Sequence, residues 1–106
     1  MDVEKLKARL RSEMPSVADS YIEEKAAALM NTIPEIRAAV EMWAETGNFK
    51  DVRIEGDEDT GGGFSIRKLM SFRRIHDSFA DAALYLNEYA KDKEQGFLKI
   101  LRLAVK

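Results

Sequence analysis

The chain has 106 residues, of which 45% are hydrophobic and 34% charged, with a formal net charge of −2. That length fits one domain, residues 1–106, and the apolar content is high enough for a real core and too high for a disordered chain. There is no cysteine, which excludes disulfides, thiolate metal sites and thiol catalysis and fits a reducing, cytoplasmic setting.

The N-terminal stretch MDVEKLKARLR is charged throughout and lacks the apolar segment of a signal peptide. Asp2 is placed to cap a first helix reaching about Met14, with Val3, Leu6, Leu10 and Met14 as its apolar stripe. Pro15 ends that helix, because the residue before a proline is pushed out of the helical region. Ser16, with Asp19 three positions on, reads as the capping box of a second helix running to about Asn31. Ala18, Ile22, Ala26 and Leu29 form its inner face, flanked by Tyr21 and Ala28.

The stretch TIPE, Thr32 to Glu35, is the clearest boundary: Thr32 and Glu35 read as a capping box and Pro34 sits in a first turn, where its missing N–H costs nothing. Ile36, Ala39, Val40 and Trp43 predict the buried face of a third helix, which Gly47 stops in a left-handed conformation. Beyond it, Val52 and Ile54 alternate with Asp51, Arg53 and Glu55, the pattern of a short strand. A strand needs a partner. Phe64 to Arg67 offers one as a hairpin with Phe64 and Ile66 inward; the alternative, slightly favoured, is that Ser65 caps a helix at once.

Ile66, Leu69 and Met70 define a helix of about two turns, over 66–73, followed by a turn near 75–77. Ser78 and Asp81 make a further capping box, and Phe79, Ala82, Ala83, Leu86 and Ala90 line the next helix, with Tyr85 and Tyr89 at its edges. The last segment, Phe97 to Lys106, is helical and apolar except where Lys99, Arg102 and Lys106 make a narrow polar stripe, so it is expected to be largely buried. The fold class is therefore all-α: a compact bundle of five to six short helices with one small β-strand or hairpin near 50–66.

Charge is unevenly spread. Residues 12–63 carry four bases and twelve acids, whereas residues 64–106 carry nine bases and five acids. The acidic, glycine-rich stretch from Asp57 to Gly63 lacks the parts of a calcium loop: counting from Asp57, position 5 is Gly61 and position 12 is Lys68 instead of the bidentate glutamate. No Gly-Lys-Ser/Thr follows at P-loop spacing, and three acids upstream repel phosphate. It reads as a mobile acidic connection.

Arg67, Lys68, Arg73, Arg74 and His76 cluster in and before the turn between two helices, the proportions of a helix-turn-helix over residues 66–91. The second helix begins Ser78-Phe79-Ala80-Asp81 and has no base before Lys91, a poor reader of base edges. His76 is the sole histidine, and its neighbours Asp77 and Ser78 in the chain do not make a triad, which needs convergence in space. No metal, cofactor or catalytic set is expected, and no run approaches the length of a membrane span. The leading expectation is a non-enzymatic protein-binding or regulatory module, acting on a protein partner or on itself as a homodimer. Phe97, Leu98, Leu101 and Val105 form its interface. The alternative is a DNA-binding regulator using residues 66–91.

Overall fold

The structure, a computed structural model, describes residues 1–104. Among them the fold is all-α, with six helices and a two-stranded antiparallel hairpin. Backbone contacts divide the chain into two units, Met1–Lys50 and Asp51–Lys106, each with its own apolar centre.

The first unit holds α1 (Val3–Glu13), α2 (Asp19–Met30) and α3 (Pro34–Thr46). Asp2 caps α1, its carboxylate accepting from the N–H of Glu4 at 3.0 Å and of Lys5 at 3.2 Å. Leu6 and Leu10 of α1 meet Ile22, Ala26 and Leu29 of α2 and Ile36, Val40 and Trp43 of α3 in the buried centre. Gly47 closes α3 with a φ of 77°, as the sequence predicts.

Two expected caps are absent. Ser16 does not start α2, which begins at Asp19 behind Ala18 with no side-chain cap. Starting there puts Ile22, Ala26 and Leu29 inward and leaves Ala18 exposed, while Asp19 lies in the first turn, where a negative charge is favoured, 3.5 Å from Arg11 Nε. Nor does Thr32 cap α3, whose N-cap is Ile33. The Thr32 hydroxyl instead donates backwards to the Leu29 carbonyl at 2.8 Å, closing the end of α2. With three residues between the two helices, that orphan carbonyl takes the donor first.

The second unit holds β1 (Arg53–Ile54), β2 (Phe64–Ser65), α4 (Ile66–Met70), α5 (Phe79–Lys91) and α6 (Lys93–Ala104). Arg53 pairs with Ser65 and Ile54 with Phe64. The hairpin and the immediate helix are both realised: Ser65 ends β2, and its hydroxyl accepts from the Lys68 N–H at 3.1 Å to start α4.

α4 ends at Met70, three residues short of the expected 66–73. Continuing the helix would carry Arg73 onto the face shared by Ile66, Leu69 and Met70. The chain bends instead, the Ser71 hydroxyl bonding back to the Lys68 carbonyl at 2.6 Å, and Ile75 is buried while Arg73 stays exposed. α5 is the centre of this unit, packing against α4, α6 and β1. Phe79, Ala80, Ala82, Ala83, Leu86, Asn87 and Tyr89 are all buried, so Tyr89 is core rather than edge.

Only Asp92 separates α5 from α6, and its carboxylate accepts from the Gln95 N–H at 3.1 Å. Gly96 and Ile100 are the buried residues of α6. The expectation that this helix is largely buried is corrected: it buries one face, because its main neighbour, α5, covers only one side.

Candidate functional site

The Asp57–Gly63 loop is built, not a loose connection. Asp57 Oδ1 accepts from the Asp59 and Thr60 N–H groups, each at 3.0 Å, and the Asp57 N–H donates to Thr60 Oγ1 at 3.0 Å. Thr60 itself is buried, and its hydroxyl lies 3.0 Å from Asp57 Oδ1 and 2.9 Å from the Tyr89 hydroxyl. Thr60 has one proton to give. An ionised carboxylate can only accept, so Thr60 donates to Asp57 and Tyr89 donates to Thr60.

Those bonds, led by the one from the Thr60 hydroxyl, hold the Asp57 carboxyl below its usual value of 3.8. Gly63, with a φ of 88°, allows the chain to cross at 2.7 Å between its would-be Cβ and the Gly56 nitrogen, space no side chain fits. Arg53 Nη2 donates to the Gly62 carbonyl across the mouth of the loop. Asp57 and Gly63 thus serve the fold of this stretch, and among the described residues no three His, Asp or Glu side chains converge as a metal site.

The basic residues of the predicted nucleic-acid contact, Arg67, Lys68, Arg73, Arg74 and His76, are all exposed. The Arg67 N–H is held by the Asp51 carboxylate at 3.1 Å. His76 Nδ1 stands 2.9 Å from Asp77 Oδ2, and Asp77 takes a left-handed φ of 61°. Eight residues, 71–78, separate α4 from α5, against the three or four of a helix-turn-helix turn. The first turns of α5 face inward: Phe79, Ala80, Ala82 and Ala83 are buried, and the first exposed residue of the helix is Glu88. Placed in a groove, α5 would offer base edges almost nothing.

The predicted protein-binding residues divide. Leu98 is 40% exposed and Leu101 44% exposed. Phe97 is half-buried, its ring 6.3 Å from that of Phe64. Val105 lies outside the described residues. Leu98 and Leu101, three apart, share one side of α6, away from Gly96 and Ile100, which rest on α5.

Phe64 joins the two predicted sites. Its buried ring meets Tyr89 edge-on at 5.1 Å and Phe72 edge-on at 6.4 Å, besides Phe97. Lys68 Nζ stands 5.0 Å from the Phe64 ring centroid and 3.4 Å from the Gly63 carbonyl. So the basic segment and the apolar helix, separate in sequence, meet around one aromatic side chain. Phe72 and Phe97, both half-buried, border it. Sequence reasoning missed Phe72, although an aromatic inside Arg- and Lys-rich chain is itself a signal of an anchored turn.

No family model matches the chain, and no curated protein or solved structure is significantly similar to it. No helix among the described residues is long and apolar enough to cross a membrane.

Proposed function

We propose that the chain is a non-enzymatic protein-binding module, and that its second unit docks a protein, a second copy of the chain included, on α6. The exposed pair Leu98 and Leu101 carries this reading. Their helix is held by Gly96 and Ile100 from the other side, and the unit leaves a large part of both leucines exposed. Burying them against a partner would each gain roughly 1 kcal/mol, about half of a full side-chain transfer. Lys99, which pairs with Glu88 at 3.1 Å, and exposed Arg102 supply a polar rim.

Light scattering across a concentration series, on the wild type and on Leu101→Asp, tests it. Self-association that rises with concentration in the wild type and is lost in Leu101→Asp, with an unchanged melting temperature, is the expected result. A wild type that is monomeric throughout removes self-docking and leaves a different protein as the partner. In that case a Leu101→Asp variant that still captures every partner of the wild type from a labelled mixture overturns the α6 reading.

The exposure of all five basic residues between Arg67 and His76 supports a second reading, contact with nucleic-acid phosphates. It requires duplex binding that weakens steeply with salt and disappears when Arg73 and Arg74 are both changed to Glu. Lack of binding by the wild type at low salt dismisses it.

A further inference from the structure

The first unit contains an open cleft between α1 and α3 that carries charged side chains. On α1, Lys5, Ala8, Arg9 and Ser12 recur at positions i, i+3, i+4 and i+7 and share one side of the helix. With Ala44 and Glu45 of α3 they line an open cleft of about 350 Å³. The two alanines keep its floor low, since neither extends past Cβ. Its size reaches the lower end of the range for small-ligand sites, about 300–1,000 Å³.

The charges in this cleft are unequal. Lys5 Nζ donates to Glu45 Oε2 at 2.8 Å, and that hydrogen bond raises the Lys5 pKa, so the one carboxylate is already committed. Arg9 brings a second cation. Its Nε is sealed from solvent and has no hydrogen-bond partner. A buried donor left unpaired is costly, and in native proteins it calls for an explanation. The guanidinium lies against the end of α3: a Cβ on Gly47 would stand 2.9 Å from Arg9 Nη1, so Arg9 packs over the bare glycine backbone.

We infer that the cleft binds an oxyanion, a carboxylate or phosphate group, through the Arg9 guanidinium. The anion takes paired hydrogen bonds from Nε and a terminal nitrogen of Arg9, the fork geometry that suits a planar carboxylate or two phosphate oxygens. A small rotation of the guanidinium over Gly47 brings Nε–H toward the cleft and satisfies it. The Ser12 hydroxyl is at hand as a further donor, and the Lys5–Glu45 pair sets the far wall. The site stands apart from α6 and does not depend on the protein-binding reading.

The test uses inorganic phosphate, succinate and sodium chloride at matched ionic strength, on the full chain. Two signals are followed: the melting temperature, and the Arg9 Nε–H cross-peak in a ¹⁵N-correlated NMR spectrum. Phosphate or succinate should raise the melting temperature with saturation, chloride should not, and the Arg9 Nε–H peak should move with the same midpoint. Whichever of the two oxyanions binds tighter identifies the preferred class. Arg9→Gln should weaken the midpoint about tenfold or more, and Arg9→Lys should restore little, because a lysine offers no fork. A wild-type response equal to that in chloride, with the Nε–H peak unmoved, overturns the inference. So does a saturable response that Arg9→Gln retains in full. The NMR readout on the wild type decides the question even if the Arg9 variants do not fold.

Discussion

Replacing Gly96 with alanine puts local and tertiary preferences in direct opposition. Gly96 lies inside α6, where alanine is favoured over glycine by about 1 kcal/mol. Judged on the helix alone, Gly96→Ala stabilises. In the folded unit, however, the added Cβ would stand 2.7 Å from the Tyr89 nitrogen and closer still to its Cα. These are backbone atoms of α5 and cannot swing aside, so α6 must retreat by the better part of an ångström. Overpacking of this kind costs about 1–3 kcal/mol. The retreat also loosens Ile100, which is 1% exposed and whose burial is worth roughly 2 kcal/mol. Set against the helix gain, the net effect is a destabilisation of about 2 kcal/mol, or roughly 10 °C in melting temperature. Urea and thermal unfolding followed by circular dichroism measure it. Gly62→Ala is the control, since a Cβ there meets only Arg53 Nη2 at 3.9 Å and should shift stability by less than about 0.5 kcal/mol. If Gly96→Ala melts at or above the wild-type temperature, the close α5–α6 packing described above is wrong.

Three further outcomes follow from the same structure. Thr60→Val should cost about 1–3 kcal/mol in urea unfolding, because it leaves the Tyr89 hydroxyl and the Asp57 N–H without partners; Tyr89→Phe should cost less, since Thr60 keeps its bonds to Asp57. The Asp57 carboxyl has a folded pKa below 3.8, so its contribution is fully present above that value and is lost as pH falls through the folded one. The stability difference between wild type and Asp57→Asn should therefore shrink on acidification from about pH 5 to about pH 2, and a difference that stays constant over that span refutes the link. Ser78→Ala should cost about 1 kcal/mol, for its hydroxyl accepts from the Asp81 N–H at the start of α5, whereas Ser16→Ala should be nearly neutral because α2 starts without it; equal effects would contradict both cap assignments.

Much of the helix plan was legible because it rests on local chemistry. Asp2, Pro34, Gly47 and Ser78 act where the sequence puts them, since a cap or a stop is decided by a few neighbouring backbone groups. The inner faces of α1, α3 and α5 follow from apolar spacing for the same reason. Ser16 and Thr32 show the limit: each satisfies the local pattern, but an alternative acceptor or a better-placed start three residues on wins. The candidate site was legible only in pieces. Leu98 and Leu101 could be singled out as apolar, but not as exposed, because nothing in α6 itself records that α5 covers one side of it.

The sequence by itself determined an all-α fold, the absence of thiol chemistry and the basic character of residues 67–76, and left open whether the chain beyond the glycine loop pairs as a strand or starts a helix at once. Tertiary structure alone decided the division at Lys50, the anchoring of the loop through Thr60 to Tyr89, the meeting of Lys68, Phe72 and Phe97 around Phe64, and the burial of Arg9 Nε without a partner. The reason is range. Capping and periodicity act over three or four residues and are written in order along the chain. Burial and the pairing of polar groups depend on which distant segment arrives alongside, and Thr60 lies 29 positions along the chain from the hydroxyl that holds it.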